Sequence, residues 1–137
     1  MRIEGRCDFG GSLLRSGCGR PPITECVYCG HPFCEAHGER GPDFTDACHR
    51  KRCRAKLRDV IAHQEWRNHV RHANAVSMCA QEDCAERMHH QCSRCRLFFC
   101  GEHVSQVTIV YHDVQPARKD LALACGHCKE RRKLWSR

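Results

Sequence analysis

The sequence has few aromatic residues and no long apolar run. Aromatic side chains make up 7% of the 137 residues, which leaves little material for a conventional hydrophobic core. No stretch approaches the roughly 18 apolar residues that a membrane span requires, and residues 1–20 carry charges and glycines where a secretion signal would be apolar. These absences argue against a membrane or secreted protein, and they indicate that the fold needs another source of stability.

What the sequence does have is cysteine, fourteen in all. Residues 26–37 read C-x2-C-x4-C-x2-H, and residues 92–103 repeat this pattern 66 positions later, with Phe33 and Phe99 at matching places. Two cysteines precede each run and two follow it, so each half holds eight Cys or His ligands and no cysteine is left over. Eight such ligands fill two tetrahedral zinc sites. The sequence therefore predicts four structural Zn²⁺ ions in a small, metal-dominated α+β fold.

A disulfide scaffold is the competing use of cysteine, because an even number in a small chain permits one. A disulfide framework does not call for histidine at a fixed offset from cysteine, as both repeats have. We therefore expect zinc-bound cysteines in a reducing compartment, with the cytoplasm as the predicted location.

The repeat divides the chain into two small modules joined by a helix. We expect module 1 over residues 1–54, a connecting helix over 55–77, module 2 over 78–128, and a basic helix or tail over 129–137. The connecting segment contains no Gly, Pro or Cys, and its apolar residues fall on two nearly opposite faces of a helix. Trp66 lies on the later face, where it either packs between the modules or contacts a partner.

Short hairpins complete the expected modules. In module 2, strand-like runs lie around 105–112 and 121–124, with a turn over 115–120. Val107, Ile109 and Tyr111 alternate along the first of these runs, which predicts a strand with one buried face.

Each module offers four ligand pairs, and their order bears on which pairs share an ion. Only four residues, 30–33 in module 1, separate the second pair from the third. The pairs are numbered one to four along the chain. If pairs two and three shared one ion, the other ion would need pairs one and four. If the pairs alternate, pairs one and three share one ion and pairs two and four share the other, so each ion takes one close pair from each side. We expect alternation. It predicts the quartets Cys7, Cys18, Cys34 and His37; Cys26, Cys29, Cys48 and Cys53; Cys79, Cys84, Cys100 and His103; and Cys92, Cys95, Cys125 and Cys128.

The run C-x2-C-x3-F-C-x2-H resembles the AN1-type zinc finger, and the pair Cys79 and Cys84 ahead of its second copy adds to the likeness. The ends differ, because AN1 fingers close with His-x5-His-x-Cys, where this chain has Cys-x4-Cys or Cys-x2-Cys. The alternating pairs are also similar to the cross-brace of RING and FYVE domains. The resemblance implies two cross-brace modules in which structural zinc shapes loops that bind proteins.

Resemblance to RING domains implies a protein-interaction adaptor, in the sharpest form an E3 scaffold in ubiquitin-type conjugation. Its partner would be a ubiquitin-conjugating enzyme or a ubiquitin-like protein. Tyr28 and Phe44 either extend the docking surface or belong to the core of module 1. The candidate partner-binding residues are Leu13, Leu14, Arg54, Trp66 and Lys129.

A catalytic zinc would need an open coordination position and a nearby general base. Here the ligands fill all four tetrahedra and no cysteine remains as a nucleophile, so we expect no catalytic residue. Two spare histidines, His49 and His127, stand where they could replace a ligand.

Two other functions stay open. The basic segments 50–58 and 129–137 favour nucleic-acid binding. However, fourteen thiolates and four Zn²⁺ ions together would lower the formal charge of +7 by six, to about +1, and basic residues beside ligands can balance anionic sites. Arg87, His89 and His90, separated from Cys92 by Gln91, resemble the basic motif of FYVE domains and imply phosphoinositide binding.

Overall fold

The computed structural model describes residues 5–135, except for the side chain of Trp135. Residues 1–4 of the expected module 1 and residues 136–137 of the expected tail lie outside the described residues. The chain divides into two compact units, with the division after His63. We call residues 5–63 the first unit and residues 64–135 the second unit.

The first unit is built from two minimal hairpins. Strand β1, Thr24–Glu25, pairs antiparallel with β2, Pro32–Phe33, and β3, Gly38–Glu39, pairs antiparallel with β4, Ala47–Cys48. A single 3-10 turn, Pro42–Phe44, lies between β3 and β4. Strands this short carry little stability of their own. We therefore expect them to depend on metal ions bound by the cysteines that lie beside them.

The second unit repeats the first hairpin and adds a longer one. Strand β5, His90–Gln91, pairs antiparallel with β6, Phe98–Phe99. Strand β7, Val104–Tyr111, pairs antiparallel over its whole length with β8, Arg118–Cys125. The short helix α3, Gly126–Glu130, and a 3-10 turn, Arg132–Trp135, follow β8.

The expected turn over 115–120 is wrong in its second half, because β8 begins at Arg118. The Arg118 guanidinium lies 4.8 Å from the centre of the Tyr111 ring on the facing strand, and it also contacts Asp120 at 3.1 Å. These contacts favour pairing at charged positions that the sequence pattern assigned to a turn.

The long helix α1 covers Lys51–Val70, and a four-residue helix α2, His72–Ala75, follows it. The helix starts earlier than expected, and its first turn contains the buried Cys53. Leu57 packs into the core of the first unit, and Val70 into that of the second. The two faces seen in the sequence therefore serve two different cores.

The cores consist largely of cysteine. In the first unit the buried residues other than cysteine are Phe33, Gly38, Ala47 and Leu57. Phe33 and Phe99, the matching aromatics of the repeat, are each 0% exposed. The prediction of a small α+β fold with short hairpins and Cys/His clusters is confirmed. Across the part of the chain described here, no helix has the length and apolar character needed to cross a bilayer.

Candidate metal centres

The structure gathers cysteine and histidine side chains into four clusters that could hold a metal ion. Within each cluster the four ligand atoms all lie within 4.8 Å of one another. Each cluster combines the first pair of its unit with the third, or the second with the fourth. The clusters are Cys7, Cys18, Cys34 and His37; Cys26, Cys29, Cys48 and Cys53; Cys79, Cys84, Cys100 and His103; and Cys92, Cys95, Cys125 and Cys128.

The sulfur separations fit a tetrahedral metal ion. The Sγ atoms of Cys29 and Cys48 are 3.7 Å apart, and those of Cys95 and Cys125 are 4.0 Å apart. A disulfide bond would bring two sulfurs to about 2.05 Å. Four sulfurs around Zn²⁺ at about 2.3 Å define tetrahedral edges of about 3.8 Å. The clusters therefore have the size of a zinc coordination sphere and not that of a disulfide.

The two histidines present Nδ1 to their clusters. Nδ1 of His37 lies 3.4 Å from Sγ of Cys34, and Nδ1 of His103 lies 3.2 Å from Sγ of Cys100. A zinc ion bound to one nitrogen and three sulfurs would place these atoms about 3.5 Å apart. Phe9 stacks on the His37 ring at 4.6 Å between centroids, which helps to fix the plane of the imidazole.

The same backbone turn positions the second ligand pair in both units. The amide of Cys26 donates to the carbonyl of His31 at 2.9 Å, and a second bond of 2.8 Å joins the Gly30 amide to the Cys26 carbonyl. The second unit repeats the latter bond from Arg96 to Cys92 at 3.0 Å. Gly30 has φ +75° and Arg96 has φ +64°, so this turn requires left-handed backbone in both copies.

Hydrogen bonds lower the pKa of Cys26 in one cluster and of Cys92 in another. Burial acts to raise the pKa of Cys26, but backbone hydrogen bonds from Cys48, Cys29 and Tyr28 outweigh it and lower this pKa to about 7. Cys92 has a lowered pKa as well, chiefly through hydrogen bonds from the other cysteine side chains of its cluster. Burial, followed by hydrogen bonds with the other thiols, raises the pKa of Cys53, and hydrogen bonds with the other thiols raise the pKa of Cys128. A cation at either centre would bring these thiols to the thiolate form, which is the form that binds metal.

Arg50 is a contributor to the metal centres that we did not expect from the sequence. Its guanidinium donates to Sγ of Cys48 at 3.4 Å and to the Asp8 carboxylate at 2.8 Å. Asp8 also pairs with His31 at 2.6 Å. Although burial acts to raise the pKa of Asp8, the hydrogen bonds from Arg50 and His31 lower it overall. The only signal in the sequence was a basic residue two positions after a ligand.

The expected partner-binding residues fall in both units, with Leu13, Leu14 and Arg54 in the first and Trp66 and Lys129 in the second. Leu13 and Leu14 are fully exposed in the loop between Cys7 and Cys18, with exposed fractions of 106% and 96%. Phe44 is also exposed, so assigning it to the core of module 1 is wrong, whereas Tyr28 packs against that core.

The other partner candidates differ in how exposed they are. Arg54 and Lys129 are exposed, and the Lys129 ammonium is 3.4 Å from the Ser105 hydroxyl. Trp66 is half-buried and stacks on His127 with ring centroids 3.6 Å apart. Within the second unit this stacking supports a packing role for Trp66.

The remaining candidates lie outside the clusters. His49 and His127 are not members of any quartet among residues 5–135. Arg87, His89 and His90 are all exposed at the surface of the second unit. Phosphoinositide and nucleic-acid binding stay predictions.

Comparison with known protein families, curated proteins and solved structures gives no match to this chain. The class of protein therefore follows from the site alone: a small α+β protein with four zinc-finger-like Cys/His clusters.

Proposed function

We propose that this chain binds four zinc ions in two cross-brace modules, and that it acts as a protein-interaction adaptor without a catalytic site of its own. The observation that carries the proposal is the set of four quartets whose ligand atoms lie within 4.8 Å of one another. Interleaved ligand pairs of this kind characterise the cross-brace. The AN1-like spacing and the RING-like alternation of the sequence point the same way.

Zinc suits these quartets better than the other common biological cations. Calcium and magnesium take oxygen ligands, whereas thiolate with imidazole in a tetrahedron is a zinc donor set. Each quartet supplies four protein ligands, which closes the coordination sphere and leaves no position for a reacting water. The ions would therefore stabilise the fold and shape its loops.

X-ray absorption spectroscopy of the zinc-loaded protein tests the metal assignment. We expect sulfur neighbours at about 2.3 Å and nitrogen neighbours at about 2.0 Å, averaged over fourteen sulfur and two nitrogen ligands. A first shell dominated by oxygen, or fewer sulfurs per zinc than this set provides, would refute the proposed centres.

The adaptor role rests on exposed apolar side chains held by a rigid metal centre. Leu13 and Leu14 lie between two ligands of one quartet, Cys7 and Cys18, and neither leucine is buried. Exposed large apolar residues cost solubility and often mark contact surfaces. In the RING-like form of the proposal, a ubiquitin-conjugating enzyme binds such loops.

A panel of ubiquitin-conjugating enzymes, charged and uncharged, tests this form directly. We expect one or more to bind the zinc-loaded chain, and the double variant Leu13→Ser, Leu14→Ser to reduce binding about tenfold while keeping its zinc. Val76→Ser, at an exposed valine of the second unit, is the matched control and should bind as the parent does. Absence of binding and of stimulated transfer across the panel would end the ligase version.

A further inference from the structure

The hairpin of β7 and β8 has two outer edges. They differ in whether their outward backbone N–H and C=O groups make hydrogen bonds. In an antiparallel pair, opposite residues alternate between those bonded to each other and those whose N–H and C=O groups point outward. On β8, the Leu123 carbonyl accepts a bond of 2.9 Å from the Ser93 amide. The Cys125 amide donates to Sγ of Cys92 at 3.4 Å. The outer edge of β8 is therefore partly covered at its carboxyl end.

The register then assigns the outward groups of β7. Leu123 faces Gln106, Leu121 faces Thr108 and Lys119 faces Val110. Gln106, Thr108 and Val110 therefore direct their backbone N–H and C=O groups away from β8. Across residues 5–135, none of these three residues makes a backbone hydrogen bond to another segment. β7 presents a continuous row of free donors and acceptors.

The side chains of β7 do nothing to protect this edge. Strand β7 reads VSQVTIVY, without a charged residue or a proline, whereas the exposed half of β8 begins with Arg118, Lys119 and Asp120. Charged residues and proline are the usual means of keeping an edge strand from pairing. A bare edge of β-branched residues is a liability unless a partner covers it.

A cationic cavity adjoins the same strand. It has a volume of about 730 Å³, and Val107 and Thr108 of β7 form part of its lining. Arg94, Lys129 and Arg132 supply three positive charges to the lining, and Glu130 supplies a negative one. The Glu130 carboxylate lies 3.8 Å from the guanidinium of Arg131. Ala124 of β8 lines the cavity as well, so the cavity lies against both strands of the hairpin, and its net positive lining favours an anionic group there.

We infer that the outer edge of β7 binds an extended acidic peptide segment of a partner protein, which adds as a third strand and places a carboxylate near Lys129 and Arg132. This inference rests on the proposed adaptor function and names the chemistry of its partner. The unpaired backbone row matches a peptide, and strand addition is an established way of recognising one. The positive lining selects acidic side chains.

Two other occupants fit the observations less well. A second copy of β7 would bring no acidic residue to the cavity, because VSQVTIVY has none. A nucleic-acid strand would match the positive charges but would leave the row of backbone donors and acceptors unused.

The test uses the zinc-loaded full chain and a fluorescent peptide, Glu-Val-Glu-Val-Glu-Val-Glu, with Lys replacing every Glu in the control peptide. Binding of the acidic peptide should slow hydrogen exchange at the amides of Gln106, Thr108 and Val110. Affinity should fall as salt rises. The lysine peptide should bind at least about tenfold more weakly.

Two proline variants distinguish binding at the outer edge of β7 from binding at the outer edge of β8. Thr108→Pro removes an outward amide from β7 without breaking the ladder, and should reduce affinity about tenfold. Leu121→Pro places the same change directly opposite, on β8, and should leave affinity within about twofold. Arg132→Glu, outside the hairpin, should also reduce affinity about tenfold, so the test does not depend on how well the hairpin tolerates proline.

The zinc content of each sample distinguishes the two proposals. If four ions are bound and the acidic peptide shows no binding, the edge inference is overturned and the adaptor function is not. An equal loss of peptide affinity in Thr108→Pro and Leu121→Pro would overturn the edge inference too. So would a preference for single-stranded oligonucleotide over peptide, or concentration-dependent dimerisation through the β7 amides. A chain that holds no zinc contradicts the proposed function itself.

Discussion

Glycine at position 38 shows how tightly single residues are constrained around the metal centres. Gly38 directly follows His37, and a Cβ atom at this position would overlap the ring of the buried Phe33. Since neither the ring nor the strand can move away without disturbing a quartet, the site has no room for a methyl group.

Gly38→Ala should therefore destabilise the zinc-loaded protein by about 1–3 kcal/mol through overpacking. Gly126→Ala is the matched control. Gly126 also follows a cluster cysteine, yet a Cβ atom added there would meet no heavy atom within 4 Å beyond its chain neighbours and its own helix backbone. Urea unfolding of both variants checks this. Equal urea midpoints for the two variants would show that the Phe33 ring does not restrict the space at position 38.

Arg50 is the second residue whose role can be measured. Removing its hydrogen bonds to Cys48 and Asp8 leaves the thiolate without a neutralising donor. We expect Arg50→Gln to weaken zinc binding about tenfold, as loss of a group that supports a ligand commonly does. Arg52→Gln changes an exposed neighbour and should have no effect. Competition with a chromophoric chelator gives both affinities, and an unchanged affinity for Arg50→Gln would remove the charge-balancing role.

At the scale of elements, helix α1 contributes side chains to both cores, and Leu57 is its most buried contact in the first unit at 0% exposure. Leu57→Ala should lower the free energy of unfolding by about 2–5 kcal/mol, because it leaves a cavity beside the cysteines. Val60→Ala, half-buried and outside that cluster, should cost about 1 kcal/mol or less. A cost for Leu57→Ala no larger than that of Val60→Ala would contradict the packing described.

Features that depend on cysteine spacing or on side-chain periodicity could be predicted from the sequence. Features that depend on contacts between distant residues could not. The repeated spacing of residues 26–37 and 92–103 predicted ligand pairs, and the alternation around 105–112 predicted the strand that the structure has as β7. The helix start at Lys51 was missed because the basic segment before residue 55 was assigned to the module and not to the helix. The contact of Arg50 with Asp8 joins residues 42 positions apart, and no local pattern carries such information.

At the scale of the whole molecule, the fold is small, poor in apolar side chains and organised around cysteine. Beyond the cysteines, the larger buried residues are few: Phe33, Leu57, Val70, Leu97 and Phe99. Units of this size gain limited stability from apolar burial alone. Structural zinc contributes about 10–16 kcal/mol per site in small finger peptides, which is enough to decide whether such a chain folds.

Native mass spectrometry of the reduced protein, before and after exhaustive chelation, is the most direct test of metal-dependent folding. The expected result is a mass increase of four zinc ions, and loss of the compact charge-state distribution once the ions are removed. Fewer than three tightly held ions, or a chain that stays compact without metal, would contradict the account.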